Sequence, residues 1–137
     1  MPVGDPFSPR ERAEIDRALR IAESSSGARF SLYLGELGPA PRERALGLHA
    51  ELPDPDVRVL VAVDPAGRRL EIVTGAEVAR RLDNRSCGLA AATMSSAFGG
   101  GDLVGGILAG LQMLGEHTRS PRGLHTEVLA SSLDRPR

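Results

Sequence analysis

The feature that most constrains the fold is a nearly unbroken apolar run, VRVLVAV, at residues 57–63. Valine dominates the run, and a strand that is apolar on both faces has to be covered on both faces. The sequence DPAGRR follows and is typical of a turn, and LEIVTG is then typical of a returning strand. Residues 57–75 therefore predict an antiparallel β-hairpin in the interior of an α/β protein.

The residues before the hairpin predict a helix, a strand and a second helix. Ser8, Pro9 and Glu11 form the pattern of a capping box with proline in the first turn, and Gly27 marks the end of this first helix. Apolar and polar residues alternate over 29–34, which indicates a half-buried strand. Helical spacing of apolar residues over 41–52 predicts the second helix.

Three further helices are predicted after the hairpin. Thr74 and Glu77 have the spacing of a second capping box, which predicts a short third helix. The small residues of 86–98 indicate a fourth helix, and Asp102 is placed to cap a fifth that runs to residue 117. Gly106 and Gly110 lie on one face of the fifth helix, so we expect close helix packing there. Gly88, Ala92 and Ser95 share one face of the fourth helix in nearly the same way, so we expect these two helices to pack tightly, against each other or against the sheet.

The order of these elements predicts the topology. A helix between the first two strands is a right-handed crossover, which makes those strands parallel, whereas the hairpin is antiparallel. The expected fold class is α/β, a three-layer α/β/α sandwich around a small mixed sheet. At 137 residues the chain is predicted to form one domain over 1–118, followed by a flexible or loosely docked tail over 119–137.

Composition excludes several classes of function. The net charge is −1 and the charges are interspersed, so no basic surface for nucleic acid is expected. All basic residues other than histidine are arginine, and without lysine there is no Schiff-base amine and no phosphate-loop lysine. Cys87 is the only cysteine, so an intramolecular disulfide is impossible, and we expect it to act as a small buried apolar residue.

The glycine-rich stretch FGGGDLVGGILAG at 98–110 matches no nucleotide-binding motif. The apolar residues 103–114 would cover only about 18 Å as a helix, against a hydrocarbon core of about 30 Å, so no membrane span is expected. No signal for export is recognisable at the amino terminus, and we expect a cytoplasmic protein.

An acidic rim is the candidate ligand site. The start of the second strand and the end of the third share one edge of the sheet, where carboxylate and hydroxyl oxygens could hold a hard cation such as Ca²⁺ or Mg²⁺. If the later helices fold back over this edge, two more carboxylates join, and these are the weak metal candidates, Asp83 and Asp102. The rim residues are Asp54, Asp56, Thr74, Gly75, Glu77, Asp83 and Asp102.

These residues also have structural explanations, because Thr74, Glu77 and Asp102 are placed to cap helices and aspartate is common in proline turns. No cofactor is expected otherwise. The histidines His49, His117 and His125 include no pair at the four-residue spacing of a helical metal site, and we expect His49 to be partly exposed.

The chain resembles the TPM domain family, named for a thylakoid lumen protein, a photosystem II repair protein and a nematode receptor modulator. It looks closer still to an actinobacterial family of uncharacterised proteins built on this domain. The resemblance implies a mixed sheet between helices, and it implies calcium binding or phosphatase activity in some members and assembly or repair roles in others. The matching positions are Thr74, Gly75, Asp83, Phe98, Gly101, Asp102 and Gly106.

The functional prediction is a non-enzymatic TPM-like module for interaction or assembly with an unknown protein partner. The alternative is a phosphatase for phosphate monoesters, in which a divalent ion on the acidic rim polarises the ester and activates water. A self-associating scaffold, that is a homo-oligomer, is the third hypothesis.

Overall fold

A computed structural model describes residues 6–119 of the chain. Within these residues the sheet has three strands. The strands are β1 (Arg29–Leu34), β2 (Arg58–Asp64) and β3 (Arg69–Thr74), in the order β1-β2-β3. β1 pairs in parallel with β2, with Phe30 opposite Val59, whereas β2 pairs antiparallel with β3. The predicted parallel pair and hairpin are both confirmed.

Helices lie before, between and after the strands. A short 3-10 turn, Pro55–Val57, leads into β2. Among the described residues the α-helices are α1 (Pro9–Ser26), α2 (Pro41–Ala50), α3 (Ala76–Ala79), α4 (Asn84–Gly99) and α5 (Leu103–His117).

The core lies on both faces of β2. Val59, Val61 and Val63 are fully buried in a cluster with residues of α1, α4 and α5. Leu60 and Ala62 are buried on the opposite face, in a cluster that α2 covers. Successive side chains of a strand point to opposite faces, so a continuously apolar strand requires both layers of helices. The three-layer α/β/α sandwich is confirmed.

Local capping signals set the ends of α1. The Ser8 side chain accepts from the Glu11 N–H at 3.1 Å, and the Glu11 carboxylate accepts from the Ser8 N–H at 2.9 Å. Gly27 ends the helix with φ of 77°, a left-handed conformation that glycine adopts without steric cost. The predicted capping box and the predicted helix end are both confirmed.

The second predicted capping box does not form. α3 begins after Gly75 and has no side-chain cap, because Thr74 is still paired with Val59 in the sheet. Glu77 binds Arg81 instead of turning back to cap the helix. The extended backbone at the end of β3 therefore overrides the local capping pattern.

The predicted close packing at the glycines of α5 is confirmed, but the face predicted for α4 is wrong. A Cβ added at Gly110 would lie 2.2 Å from Met94 Sδ, and one added at Gly106 would lie 2.6 Å from the Phe98 ring, so both glycines do face α4. Gly88, however, is exposed, and a Cβ there would meet no atom within 4 Å. Ala92 and Ser95 are exposed too, whereas Ala90 and Met94 are buried.

The prediction that His49 is partly exposed is wrong. Its side chain is buried, with the residue 8% exposed, and its Nε2 lies 3.0 Å from the carbonyl oxygen of Arg58. A carbonyl can only accept, so Nε2 carries the hydrogen.

Cys87 is half-buried, and burial raises the pKa of its thiol, which disfavours the reactive thiolate. The predicted tail lies outside the described residues from 120 onward.

Candidate functional site

The start of β2 and the end of β3 meet at one edge of the sheet, as the hairpin predicts. The Gly75 N–H donates to the carbonyl oxygen of Arg58 at 2.9 Å. A Cβ at Gly75 would lie 1.9 Å from the carbonyl oxygen of Pro55, so only glycine lets α3 approach the 3-10 turn. Asp54 and Asp56 lie in and beside this turn, and both are exposed. Five of the predicted rim residues therefore lie at one edge of the sheet: Asp54, Asp56, Thr74, Gly75 and Glu77.

Glu77, the fifth of these residues, has a protein partner. Arg81 Nε donates to one carboxylate oxygen of Glu77 at 2.9 Å, and Arg81 Nη2 donates to the other at 3.0 Å. This bidentate pair lowers the pKa of Glu77, with the hydrogen bond from Arg81 as the main cause. Arg81 is itself only 6% exposed, and its Nη1 donates to the carbonyl oxygen of Ser26 at 2.8 Å. A cation at Glu77 would have to compete with a buried guanidinium.

Asp83 and Asp102 cap two different helices. Asp83 accepts from the Ser86 N–H at 2.8 Å at the start of α4, and this bond is the main reason that its pKa is lowered. Asp102 accepts from the Gly105 N–H at 2.8 Å at the start of α5, which confirms its predicted role as a cap. Sixteen residues of α4 separate them, a length of about 24 Å. The two weak metal candidates are not neighbours.

The structure thus divides the predicted rim. Asp83 follows α3 and lies at the same end of the molecule as Glu77, whereas Asp102 lies at the end of α4 that faces the hairpin turn. Within residues 6–119, no three His, Cys, Asp or Glu side chains come together in a way that could hold a metal ion.

A pocket that the sequence does not predict lies at the opposite edge of the sheet. It has a volume of about 390 Å³ and lies between the turn that joins β2 to β3 and the loop that joins α4 to α5. We call it the turn-loop pocket. Its lining residues are Asp64, Pro65, Arg68, Arg69 and Leu70 from the hairpin, and Ser95, Phe98, Gly99, Gly101 and Leu103 from α4, α5 and the loop between them.

Two arginines supply the positive charge of this pocket. Arg69 Nε donates to the carbonyl oxygen of Gly67 at 3.2 Å, and the Arg68 guanidinium has no hydrogen-bond or ion-pair partner within residues 6–119. Arg68 has φ of 57°, a left-handed conformation that disfavours non-glycine residues by roughly 1 kcal/mol or more. Strained residues of this kind are concentrated at binding sites, although many are only turn residues.

The negative charge of the pocket is held by backbone groups. Asp64 is 6% exposed, its Oδ2 accepts from the Leu37 N–H at 3.0 Å, and its Oδ1 accepts from the Gly67 N–H at 2.9 Å. These two hydrogen bonds, the Leu37 bond first, hold the pKa of Asp64 below its usual range. Asp64 therefore remains a carboxylate and fixes the shape of the turn.

The glycine-rich loop forms the other wall. A Cβ added at Gly99 or at Gly101 would meet no atom within 4 Å, and the Gly101 backbone has φ of 88°. The Phe98 ring packs on Gly106 and also lines the pocket. The sequence signals for this site were the pair of arginines in DPAGRR and the glycine loop. They lie about thirty residues apart, so only the folded chain brings them together.

A larger and shallower groove, about 650 Å³, lies between β1 and α2. Its one basic residue, Arg44, lies over the Tyr33 ring, with the guanidinium carbon 5.9 Å from the ring centre. Glu36 and Glu43 line it as well. Because its arginine is already engaged by an aromatic ring, this groove is the weaker candidate for a charged ligand.

Comparison with known sequences identifies a family and curated relatives that include two mycobacterial proteins. The profile of a family described as "Domain of unknown function (DUF5130)" matches residues 1–115. The uncharacterized protein Rv2468c of Mycobacterium tuberculosis H37Rv and an uncharacterized protein of strain CDC 1551 are each 35% identical over 109 residues. These alignments cover 80% of this chain but only 65% of the mycobacterial proteins.

Comparison with solved structures supports the fold. The BA42 protein of Bizionia argentinensis has a TM-score of 0.70 at 15% identity, and the match covers 88% of this chain and 89% of that protein. The N-terminal domain of the cg2496 protein of Corynebacterium glutamicum has a TM-score of 0.66 at 17% identity, with coverage of 86% and 78%. A P. gingivalis N-terminal domain is similar, with a TM-score of 0.66 at 18% identity and coverage of 80% and 74%. At these identities the likeness is one of fold alone.

None of the helices described within residues 6–119 is both long and apolar enough to cross a lipid bilayer.

Proposed function

This chain belongs to the DUF5130 family, and we propose that it is a non-enzymatic module for interaction or assembly, TPM-like in type, with a protein partner in the cytoplasm. The observation that carries the proposal is that three of the five carboxylates of the predicted rim already have partners within the fold. Glu77 is bound by Arg81, and Asp83 and Asp102 each cap a helix. These three carboxylates therefore stabilise the fold.

The phosphatase alternative draws less support from this geometry. A metal-dependent hydrolase needs several oxygen ligands around one ion and an open position for the substrate. Asp54 and Asp56 are exposed near Gly75, but Asp102 lies at the other edge of the sheet. Recruiting Glu77 would also leave the buried Arg81 guanidinium without its carboxylate partner, which is costly.

The experiment is a phosphatase assay combined with thermal unfolding. The purified chain is incubated with p-nitrophenyl phosphate and millimolar Ca²⁺, Mg²⁺ or Mn²⁺, and Tm is measured with and without each ion. We expect no turnover above buffer and no rise in Tm, because an ion that binds only the native state would raise stability.

Serine variants provide the matched controls. Asp83→Ser and Asp102→Ser remove a carboxylate but retain a side chain that caps a helix, so the fold is kept. Metal-dependent turnover that either variant abolishes without lowering Tm would overturn the proposed function in favour of the phosphatase.

A further inference from the structure

We propose that the turn-loop pocket binds a carboxylate monoanion that carries an apolar group. The inference rests on the proposed function, since it names the class of ligand that the binding module recognises. No predicted rim residue lines this pocket.

The charges that line the pocket favour a single negative charge on the ligand. Arg68 and Arg69 are the cations, and Asp64 is the anion, with both of its oxygens held by backbone N–H groups. The lining therefore has one excess positive charge. A guanidinium matches the planar geometry of a carboxylate and can donate two parallel hydrogen bonds to it.

The apolar part of the ligand has its own surface. Leu70, Phe98 and Leu103 line the pocket, and each is partly exposed rather than sealed in the core. A purely polar anion would leave these side chains in water. A carboxylate with an adjoining aliphatic group covers them while its oxygens reach the arginines.

Space and backbone conformation agree with this assignment. A volume of about 390 Å³ lies within the range of small-ligand pockets, roughly 300–1,000 Å³. Gly99 and Gly101 line the pocket without side chains, and a Cβ added at either would meet no atom within 4 Å. Residue 68 has a left-handed backbone in which glycine would fit without strain. The chain has arginine there instead, and its guanidinium is thereby placed at the pocket.

The test is an NMR titration of the full chain, with the backbone amide signals of Arg68, Gly99 and Gly101 as reporters. The probes are N-acetyl-leucine, octanoate, uncharged N-acetyl-leucinamide and inorganic phosphate. We expect saturable shifts of the reporters with a carboxylate, no saturation with the amide, and weaker binding of phosphate.

Variants connect binding to the pocket. The double variant Arg68→Gly with Arg69→Gln removes both cations, and glycine suits the positive φ at residue 68, so the fold is kept. We expect at least about tenfold weaker carboxylate binding. Gly99→Leu is expected to block the pocket sterically, and Arg20→Gln, an exposed arginine on α1, to bind as the unmodified chain does.

Two sources of the ligand chemistry are separated by the same titration. Tighter binding of N-acetyl-leucine than of octanoate indicates the carboxyl terminus of a partner polypeptide, and the reverse order indicates a small apolar acid. The proposal is overturned if neither carboxylate saturates the reporters, if the amide or phosphate binds at least as tightly, or if the double variant binds normally. Failure of binding without phosphatase turnover removes only this proposal, whereas turnover removes the proposed function itself.

Discussion

At the scale of single residues, Asp64 shows how one carboxylate joins two loops. It ends β2, and its oxygens accept from the Leu37 N–H after β1 and from the Gly67 N–H in the hairpin turn. Leu37 is 1% exposed, so its N–H has no ready access to water. The sequence placed Asp64 in a turn, but its bond to a residue 27 positions away is visible only in the folded chain.

Asp64→Ala is expected to lower the free energy of unfolding by about 2–3 kcal/mol, because the substitution leaves the buried Leu37 N–H without an acceptor and removes the bond to the Gly67 N–H. Urea unfolding followed by circular dichroism measures the change. The matched control, exposed Asp56→Ala, is expected to remain within about 0.5 kcal/mol of the unmodified chain. Equal stabilities of the two variants would show that Asp64 does not hold the loops together.

At the scale of elements, the α4 and α5 pair shows how glycine permits close packing. Gly106 and Gly110 face Phe98 and Met94 on α4, whereas Gly115 faces Ala22 on α1, with only 2.9 Å between its hypothetical Cβ and Ala22 Cα. α5 therefore packs between its two neighbours through glycines on different sides. Each helix-interior glycine disfavours the helix by roughly 1 kcal/mol, so the close contacts have to offset that term.

Two alanine substitutions are expected to have opposite signs. Gly110→Ala introduces a Cβ within 2.5 Å of Met94 Cγ, and the resulting overpacking should exceed the gain in helix propensity by about 1 kcal/mol. Gly88→Ala, on the exposed face of α4, gains propensity with no contact and should stabilise by about 0.5–1 kcal/mol. The measurement is Tm by calorimetry, and stabilisation by Gly110→Ala would contradict the packing.

At the scale of the whole molecule, Arg81 connects three segments that are distant in sequence. Its guanidinium binds Glu77 on α3, the carbonyl oxygen of Ser26 at the end of α1, and the carbonyl oxygen of Arg119 beyond α5. The Arg119 N–H in turn donates to the Arg81 carbonyl oxygen at 2.9 Å. The pair of Glu77 and Arg81 therefore connects α3 to the carboxyl-terminal ends of α1 and α5.

Stability is expected to depend on acid through Glu77. Its pKa in the folded state is below the ordinary 4.5, so its contribution is complete above pH 4.5 and is lost as the pH falls through the folded-state pKa. Glu77→Gln should be less stable than the unmodified chain at neutral pH, and the difference should shrink below pH 4.5. Urea unfolding across this range measures it, with exposed Glu14→Gln as control. A difference independent of pH would exclude the ionised pair as the cause.

The sequence by itself determined the elements and their connections. The capping box of Ser8 and Glu11, the left-handed Gly27 and the Asp102 cap all act within four residues, and the alternation of burial in β2 follows from strand geometry. Such short-range causes can be read along the chain. The handedness of the crossover then limited the topology to a parallel pair followed by a hairpin.

Tertiary structure decided which side chains meet. It oriented α4 so that Ala90 and Met94, rather than Gly88, face the core, and it directed Glu77 to Arg81 rather than to a cap. It also brought the hairpin arginines to the loop that joins α4 to α5. These outcomes depend on how each packed helix is rotated about its own axis. A helix rich in small residues, such as α4, has several similarly apolar faces, so its sequence specifies that rotation poorly.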